Sequence, residues 1–233
     1  MQPILLHIHT ATEQAYVALS KGDMLLAERF NNDSKQHAAF LHVAIAEMMN
    51  SLSESLQVLD AISISNGPGS YTGLRVGLAA AKGLCFALQK PLLILNTLEV
   101  MAAAMQAYLH GQAIVMNNNC LLCPMIDARR TELFMAGYNG MLEPLLEPSA
   151  IDMREYDRLE ALLRKQNSIF VFGSGAPKFA DSFSQFNINM IPNIPLVLAQ
   201  VRLALNAYEN SLFADVAYSE PYYLKQVHIS GRH

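Results

Sequence analysis

Apolar and polar residues change period along this chain in a regular order. Ile4 to His9, Ala15 to Leu19 and Met24 to Phe30 read as three short strands, and Lys21-Gly22-Asp23 supplies a tight turn between the last two. Lys35 to Leu52 takes a helical period, with Leu41, Ile45, Met48 and Leu52 at i, i+4, i+7 and i+11. A strand at 60–66, a helix at 72–89, a strand at Leu92 to Leu95 and a helix from a Thr97 cap to about Leu109 follow. A looser version of the same order then begins. Leu121 to Ile126, Glu132 to Tyr138 and Leu142 to Leu146 read as strands, Tyr156 to Lys165 as a helix and Ile169 to Phe172 as a strand. Gly173-Ser174-Gly175 opens another helix, and Pro195, at its tolerated first position, starts one running to about Tyr208. Two βββαβα halves predict a duplicated α/β architecture with a cleft between lobes. The first lobe is expected to cover 1-109 and the second 110-233, with the Asn- and Gly-rich stretch 111–119 as the connection and the last residues returning to the first lobe.

The densest local signal is Asn66 to Gly77 (NGPGSYTGLRVG), placed as strand, glycine loop and helix. Gly67 and Gly69 allow tight or left-handed backbone around Pro68. Ser70 and Thr72 can cap the new helix by accepting from its first amides. A helix start without bulky side chains lets an anion or another chain approach backbone; a plain strand-to-helix turn is the alternative. The helix itself has an unusual surface. Gly73, Gly77 and Ala81 fall at i, i+4 and i+8, Val76, Ala80, Gly83 and Ala87 form an adjoining narrow stripe, and Leu74, Leu78, Cys85 and Leu88 form a separate bulky face. Two interior glycines cost roughly 1 kcal/mol each relative to alanine, so close packing should compensate. Apolar residues on two sides suit a helix covered both by its own core and by a partner. The helix at 35–52 is similar, with Phe40, Val43 and Ala44 off its main stripe and Met49 extending it.

Composition strengthens the expectation of a partner. Of 233 residues 52% are hydrophobic and only 15% charged, against a usual charged share of about 25%. A net charge of −4, without Lys/Arg clusters longer than two, makes this chain alone a poor nucleic-acid binder. Met1 to Ile8 has neither a basic leader nor a long apolar core, no apolar run reaches the ~20 residues of a bilayer span, and three cysteines suit a reducing compartment. A cytoplasmic location is expected.

Other candidate groups read blandly. Arg75, one turn into the glycine-loop helix with Lys82 two turns on, could clamp an anion, bond across an interface or simply meet solvent. Asp127-Ala-Arg129-Arg130-Thr131 reads as a hairpin turn in which Asp127 accepts from turn amides. His7 and His9 share one strand face without a third ligand nearby, His37 and His42 do not face together on a helix, and no His-x-x-x-His pair exists, so no metal site is expected. Cys120 and Cys123 have half a zinc-knuckle spacing, but on a strand they point to opposite faces and read as buried thiols.

The loop and helix from Ser65 to Ala81 closely resemble the signature of the TsaB (YeaZ-like, glycoprotease-like) family of tRNA threonylcarbamoyladenosine biosynthesis. Ile4 to Thr12 resembles that family's opening strand, Pro124 to Phe134 its second-lobe hairpin, Phe172 to Ala176 its late glycine turn, and Pro221 to Lys225 its terminal Pro-x-Tyr-Leu-Arg. The resemblance implies an α/β two-lobed actin-like ATPase fold (ASKHA, ribonuclease H-like). It implies a non-catalytic scaffold that pairs with and activates the metal- and nucleotide-binding paralogue TsaD, which a TsaE-like ATPase joins. Threonylcarbamoyl is then transferred to the adenosine beside the anticodon of tRNA, which this chain would meet only within the complex. ATP or ADP and metal are expected on the partner, with no cofactor required here and no peptidase activity. Pairing is implied through the helices 35–52 and 72–89, with Leu41, Ile45, Met48, Met49, Tyr71, Leu74, Arg75, Gly77, Leu78 and Lys82 in contact, so that a charge at Ile45 or Gly77 should break it. The same helices could form a homodimer when the chain is alone. One departure stands out: the family's Asp after the first strand is His9 here, and neutral imidazole cannot replace a carboxylate against a hard cation. The rival reading is an autonomous actin-like ATPase or phosphotransferase with Thr10, Asp127, Gly173 and Gly175 at its nucleotide.

Overall fold

The computed structural model describes residues 2–33, 36–154 and 157–225. Three strands, β1 (Ile4–His9), β2 (Ala15–Lys21) and β3 (Met24–Asn31), lead into α1 (His37–Ser51), β4 (Ala61–Ser65), α2 (Tyr71–Leu88), β5 (Leu92–Leu95) and α3 (Thr97–Gly111). The second half repeats the order with β6 (Cys120–Asp127), β7 (Glu132–Tyr138), β8 (Pro144–Asp152), α4 (Asp157–Leu163), β9 (Ser168–Phe172), α5 (Ala176–Ser182), β10 (Ile188–Met190) and α6 (Val197–Glu209). Each half forms one five-stranded sheet, ordered β3-β2-β1-β4-β5 and β10-β9-β6-β7-β8. Short turns join the first three strands of each sheet antiparallel, whereas helical crossovers place the remaining strands parallel. This is the expected duplicated α/β arrangement.

The core lies in three layers. Leu6, Ile8, Val17 and Leu19 on one face of the first sheet pack against Leu41, Ile45 and Met48 of α1 and Leu78, Ala81 and Cys85 of α2. Leu121, Cys123, Met125 and Leu133 on the outer face of the second sheet meet Phe179 and Phe183 around α5. Between the sheets, Leu5, Tyr16 and Ala18 join Leu122, Ala136 and Phe172 through α3 and α6. Those two helices are exchanged in space. α3, from the first half of the chain, packs on β6 and β7, while α6 packs on β1 and β5. Cys120 faces the middle layer and Cys123 the outer one, as alternation on a strand requires.

Several boundaries differ from the sequence expectation for local reasons. The cap of α3 is Asn96, whose side chain accepts from Leu98 N and Glu99 N, while Thr97 Oγ1 accepts from Gly67 N instead. Residue 142 belongs to a turn rather than to β8. Asn139 Oδ1 accepts from Met141 N and Glu143 N there, and Leu142 sits at φ 65°. β10 has only three residues, too few for alternation to mark it. Pro195 lies ahead of α6, which starts at Val197. The expected helix starts at Lys35 and Tyr156 lie outside the described residues.

A Cβ added at Gly73 would sit 2.0 Å from Thr10 O, whereas one at Gly83 meets nothing within 4 Å. Gly73→Ala is therefore expected to destabilise the fold by about 1–3 kcal/mol through overpacking against backbone. Gly83→Ala, on the same helix, should stabilise it by up to about 1 kcal/mol. Thermal midpoints of the two variants check the pair, and a matching shift in both would contradict the packing described.

Candidate functional site

The glycine loop at 66–70 is a junction held by its own chain. Asn66 N donates to Leu95 O at 2.9 Å, Ser70 N to Ala11 O at 2.8 Å and Gly67 N to Thr97 Oγ1 at 3.1 Å. Added Cβ atoms at Gly67, Gly69 and Gly77 would lie 2.4, 2.2 and 2.2 Å from Tyr222 O, Ala11 O and Thr10 Oγ1. Thr10 Oγ1 donates in turn to Gly73 O at 2.7 Å. Ser70 alone supplies the side-chain cap of α2, accepting from Gly73 N, and Thr72 is exposed. Gly67-Pro68 is a cis peptide. The loop's glycines thus serve close approach by β1 and by the C-terminal segment, and these amides are already engaged rather than offered to an anion.

Most of the side chains expected at a partner surface face inward. Leu41, Ile45, Met48 and Met49 on α1 and Leu74, Gly77 and Leu78 on α2 are buried within this chain. Burying a Leu, Ile or Met contributes about 1.5–3 kcal/mol, so these positions are committed to the first sheet and a partner cannot reach them without unpacking it. Tyr71 and Arg75 are exposed and Lys82 is half-buried, but all three touch the C-terminal segment. Arg75 Nε donates to Tyr223 OH at 3.0 Å, its guanidinium lies 4.2 Å from the Tyr71 ring centre, and Lys82 Nζ donates to Ala217 O and Ser219 O. Much of what the paired helices leave outward is apolar, beside the exposed His42, Glu47 and Asn50 of α1. Ala39, Val43 and Ala46 on α1 and Ala79, Gly83, Phe86 and Ala87 on α2 are exposed, Val43 at 57% and Phe86 at 76%. Of the stripe Val76, Ala80, Gly83 and Ala87 read from the sequence, Gly83 and Ala87 lie on this surface while Val76 and Ala80 pack against the core.

A cavity of about 370 Å³ opens between the lobes, lined by Thr12, Gln14, Tyr16, Asn32, Phe172 and Ser174 among others. Of the expected nucleotide residues only Gly173 reaches it. Thr10 is buried under α2. Asp127 closes the hairpin by accepting from Arg129 N at 2.8 Å and pairs with Lys178. Gly175 packs against Leu133. Glu13 is the one charged side chain among the described residues lining the cavity.

Behind the cavity lies a buried polar network that the sequence did not reveal. His9 stacks on Tyr16 with ring centres 4.8 Å apart, and its Nε2 lies 2.9 Å from Thr12 Oγ1. His7 bridges Ser63 Oγ and Ser20 Oγ. Tyr16 OH donates to Gln200 Oε1 at 2.5 Å, and Gln200 Nε2 donates to Ile8 O and Ser63 Oγ. Tyr16 and Gln200 lie far apart in the chain, and no local pattern links them. Burial lowers His7 to about 3, and burial with the nearby His37 lowers His9 to about 3, so both rings are neutral.

The model of the family described as TsaD: tRNA N6-adenosine threonylcarbamoyltransferase matches residues 25–226. The chain is 29% identical over 172 residues to the Bacillus subtilis tRNA threonylcarbamoyladenosine biosynthesis protein TsaB, covering 72% of this chain and 70% of that one. The Escherichia coli protein of the same name is 24% identical over 233 residues, covering 95% and 94%. A solved Pseudomonas aeruginosa protein described as similar to the peptidase YeaZ superposes with a TM-score of 0.77 at 22% identity, over 96% of this chain and all of that one. This last likeness concerns the fold.

The two neutral histidines generate a pH prediction. Their folded values lie near 3 and their ordinary value is 6.5, so below pH 6.5 the unfolded chain binds protons that the folded chain refuses. The stability they contribute is complete above that value and falls as pH drops toward 3, by up to about 1.4 kcal/mol per pH unit for each ring. Denaturant midpoints near neutrality and at about pH 5 should converge more closely for His9→Phe than for the unaltered chain. Equal acid losses in both would locate the sensitivity elsewhere.

Proposed function

The chain belongs to the TsaD: tRNA N6-adenosine threonylcarbamoyltransferase family, and from that premise we propose that it is a scaffold subunit that docks onto a TsaD-like paralogue. Its role lies in tRNA threonylcarbamoyladenosine biosynthesis, the process named for the two TsaB relatives. The observation that carries the docking is the outward side of α1 and α2, where Ala39, Val43, Ala46, Ala79 and Gly83 are exposed on two adjacent helices. Small residues let the backbones of a second helix pair approach closely, and the exposed Phe86 and Val43 supply apolar area at its rim. Arg75 and Tyr71 stand at one end of this face, where they can add polar contacts. The geometry favours this face over the buried stripe of Leu41, Ile45, Leu74 and Leu78.

The chemistry of the transfer, with its nucleotide and metal, is assigned to the partner. Three features of this chain support that division. The Asn66, Gly67 and Ser70 amides are spent internally, neutral His9 stands at the end of β1, and no Lys or Arg among the described residues lines the interlobe cavity. A TsaE-like ATPase and the tRNA would join the assembled pair, in the cytoplasm, and the same helix face would support a homodimer in the partner's absence. No helix among the described residues is long and apolar enough to cross a membrane.

Val43→Glu and Ala79→Glu are expected to weaken association with a TsaD-family partner at least about tenfold, or about 1.4 kcal/mol, while leaving thermal unfolding nearly unchanged. Calorimetric titration of the folded variants measures this, and wild-type affinity in both would remove the surface assignment. Ile45→Glu should instead unfold the first lobe, because it places a charge in the core. The isolated chain with ATP and Mg²⁺ is expected to show no turnover, and steady hydrolysis would favour the ATPase reading.

A further inference from the structure

The hairpin between β6 and β7 holds its backbone in a conformation that its residues disfavour. Arg129 stands at φ 70° and Arg130 at φ 49°, the one consecutive pair of non-glycine residues with positive φ among those described. Ser53, Gln89, Ala113 and Ser211 also have positive φ, but each lies at the end of a helix, where a single left-handed residue closes the last turn. Leu142 sits in the turn that Asn139 organises. The β6–β7 hairpin has no helix end to close. Gly occupies this region without strain and Asn at small cost, whereas arginine is strained there.

Hydrogen bonds on several sides impose that backbone. Arg129 N donates to Asp127 Oδ1 at 2.8 Å, while Ala128 N donates to Glu132 O and Glu132 N to Arg129 O, both at 3.1 Å. Asp127 N donates to Ser174 Oγ at 3.0 Å, and Met153 N to Thr131 O at 2.7 Å. Asn and Gly at the two positions would make the same turn with less strain, so the turn does not explain the arginines. Their side chains do. Asp127 ends β6, Glu132 begins β7, and Asp152 lies opposite Glu132 on β8. Lys178, Lys225 and Arg154 pair with these three carboxylates in turn, so each already has a cation of its own. Arg129 and Arg130 are exposed and form no ion pair among the described residues. Two surplus guanidinium groups therefore stand at one tip of a chain whose net charge is −4.

We propose that Arg129 and Arg130 contact the phosphate backbone of RNA in the tRNA-modifying assembly. This rests on the reading of the chain as a subunit of that assembly. A guanidinium fork meets two phosphate oxygens at once and keeps its charge at any physiological pH. Contacts of this kind fix the position of a nucleic acid without reading its sequence. A backbone already held beneath both side chains reduces the freedom lost on binding. Two phosphate contacts are too few to hold RNA on this chain alone at cellular salt, and the partner supplies the rest.

The test compares the double variant Arg129→Asn/Arg130→Asn with the unaltered chain, each assembled with a TsaD-family partner and titrated with an unmodified tRNA transcript. Because Asn tolerates left-handed backbone, the variant's thermal midpoint should equal or exceed that of the unaltered chain. Partner association should be unchanged, RNA affinity should fall at least about tenfold, and its salt dependence should lose about 1 to 2 from the log–log slope. Arg202→Gln, at an exposed arginine on α6, should alter none of these. Full RNA affinity in the folded double variant would overturn the proposal, and so would an equal loss in Arg202→Gln. Weakened partner association would make the tip a protein contact and overturn it as well. A second arm separates this contact from the docking. With the chain alone at low ionic strength, a single-stranded RNA oligonucleotide should shift the side-chain Nε–H NMR signals of Arg129 and Arg130 ahead of those of the other arginines. Selective shifts in a chain that fails to associate with the partner would remove the docking and keep the contact; shifts spread over all arginines, or none, would overturn the contact.

Discussion

The residues that follow β1 lie so close to the first turns of α2 that no Cβ fits on the facing side of that helix. Thr10 O, Thr10 Oγ1 and Ala11 O occupy the space where Cβ atoms of Gly73, Gly77 and Gly69 would stand. This approach orients α2. One row of small residues is spent against β1, Leu78 and Cys85 are turned onto the first sheet, and the remaining row, Ala79, Gly83 and Ala87, is left outward. The same contact closes the loop that precedes the helix, since Ala11 O takes the Ser70 amide and Thr10 Oγ1 caps off Gly73 O. The conformational cost of interior glycine is offset here by backbone packing that any other residue would prevent.

A consequence reaches the function. A strand-loop-helix junction whose amides point into open space is an anion site; this junction is filled by its own chain and by the strap that follows α6. The cleft between the lobes keeps a cavity whose charged lining, among the described residues, is a single glutamate, and Tyr16 in that lining stacks on the buried, neutral His9. The helix pair on the other side of the sheet carries a different balance, with apolar Val43 and Phe86 exposed beside a few polar side chains.

The lobes are joined by more than their connection. α3 and α6 are exchanged between sheets, and Gln200 on α6 ties Tyr16, Ile8 and Ser63 of the first sheet into one buried network. Such networks are stabilising only when nearly every member is satisfied, and His9 Nδ1 is the exception here. The strap adds a second tie, from Asn66 and Lys82 in the first half to Glu132 in the second. Relative movement of the lobes would have to break both.

Periodicity alone determined every element but β10, because alternation and helical spacing are local consequences of burying one face. It also determined that Cys120 and Cys123 part company on β6, that Asp127 closes a hairpin, and that α2 has several faces of unequal bulk. It could not rank those faces. Both small-residue rows of α2 are apolar, and only the position of Thr10 and Ala11, brought in from the far end of β1, decides that Gly73 and Gly77 are inside and Gly83 outside. For the same reason Leu41, Ile45 and Leu74, apolar and regularly spaced, read equally well as core or as interface until the sheet beneath them was placed. Gln200, the short β10 and the strap's crossing over Asn66 were settled by tertiary structure alone, since each depends on contacts between segments whose separation in the chain leaves no pattern for a local reading to detect.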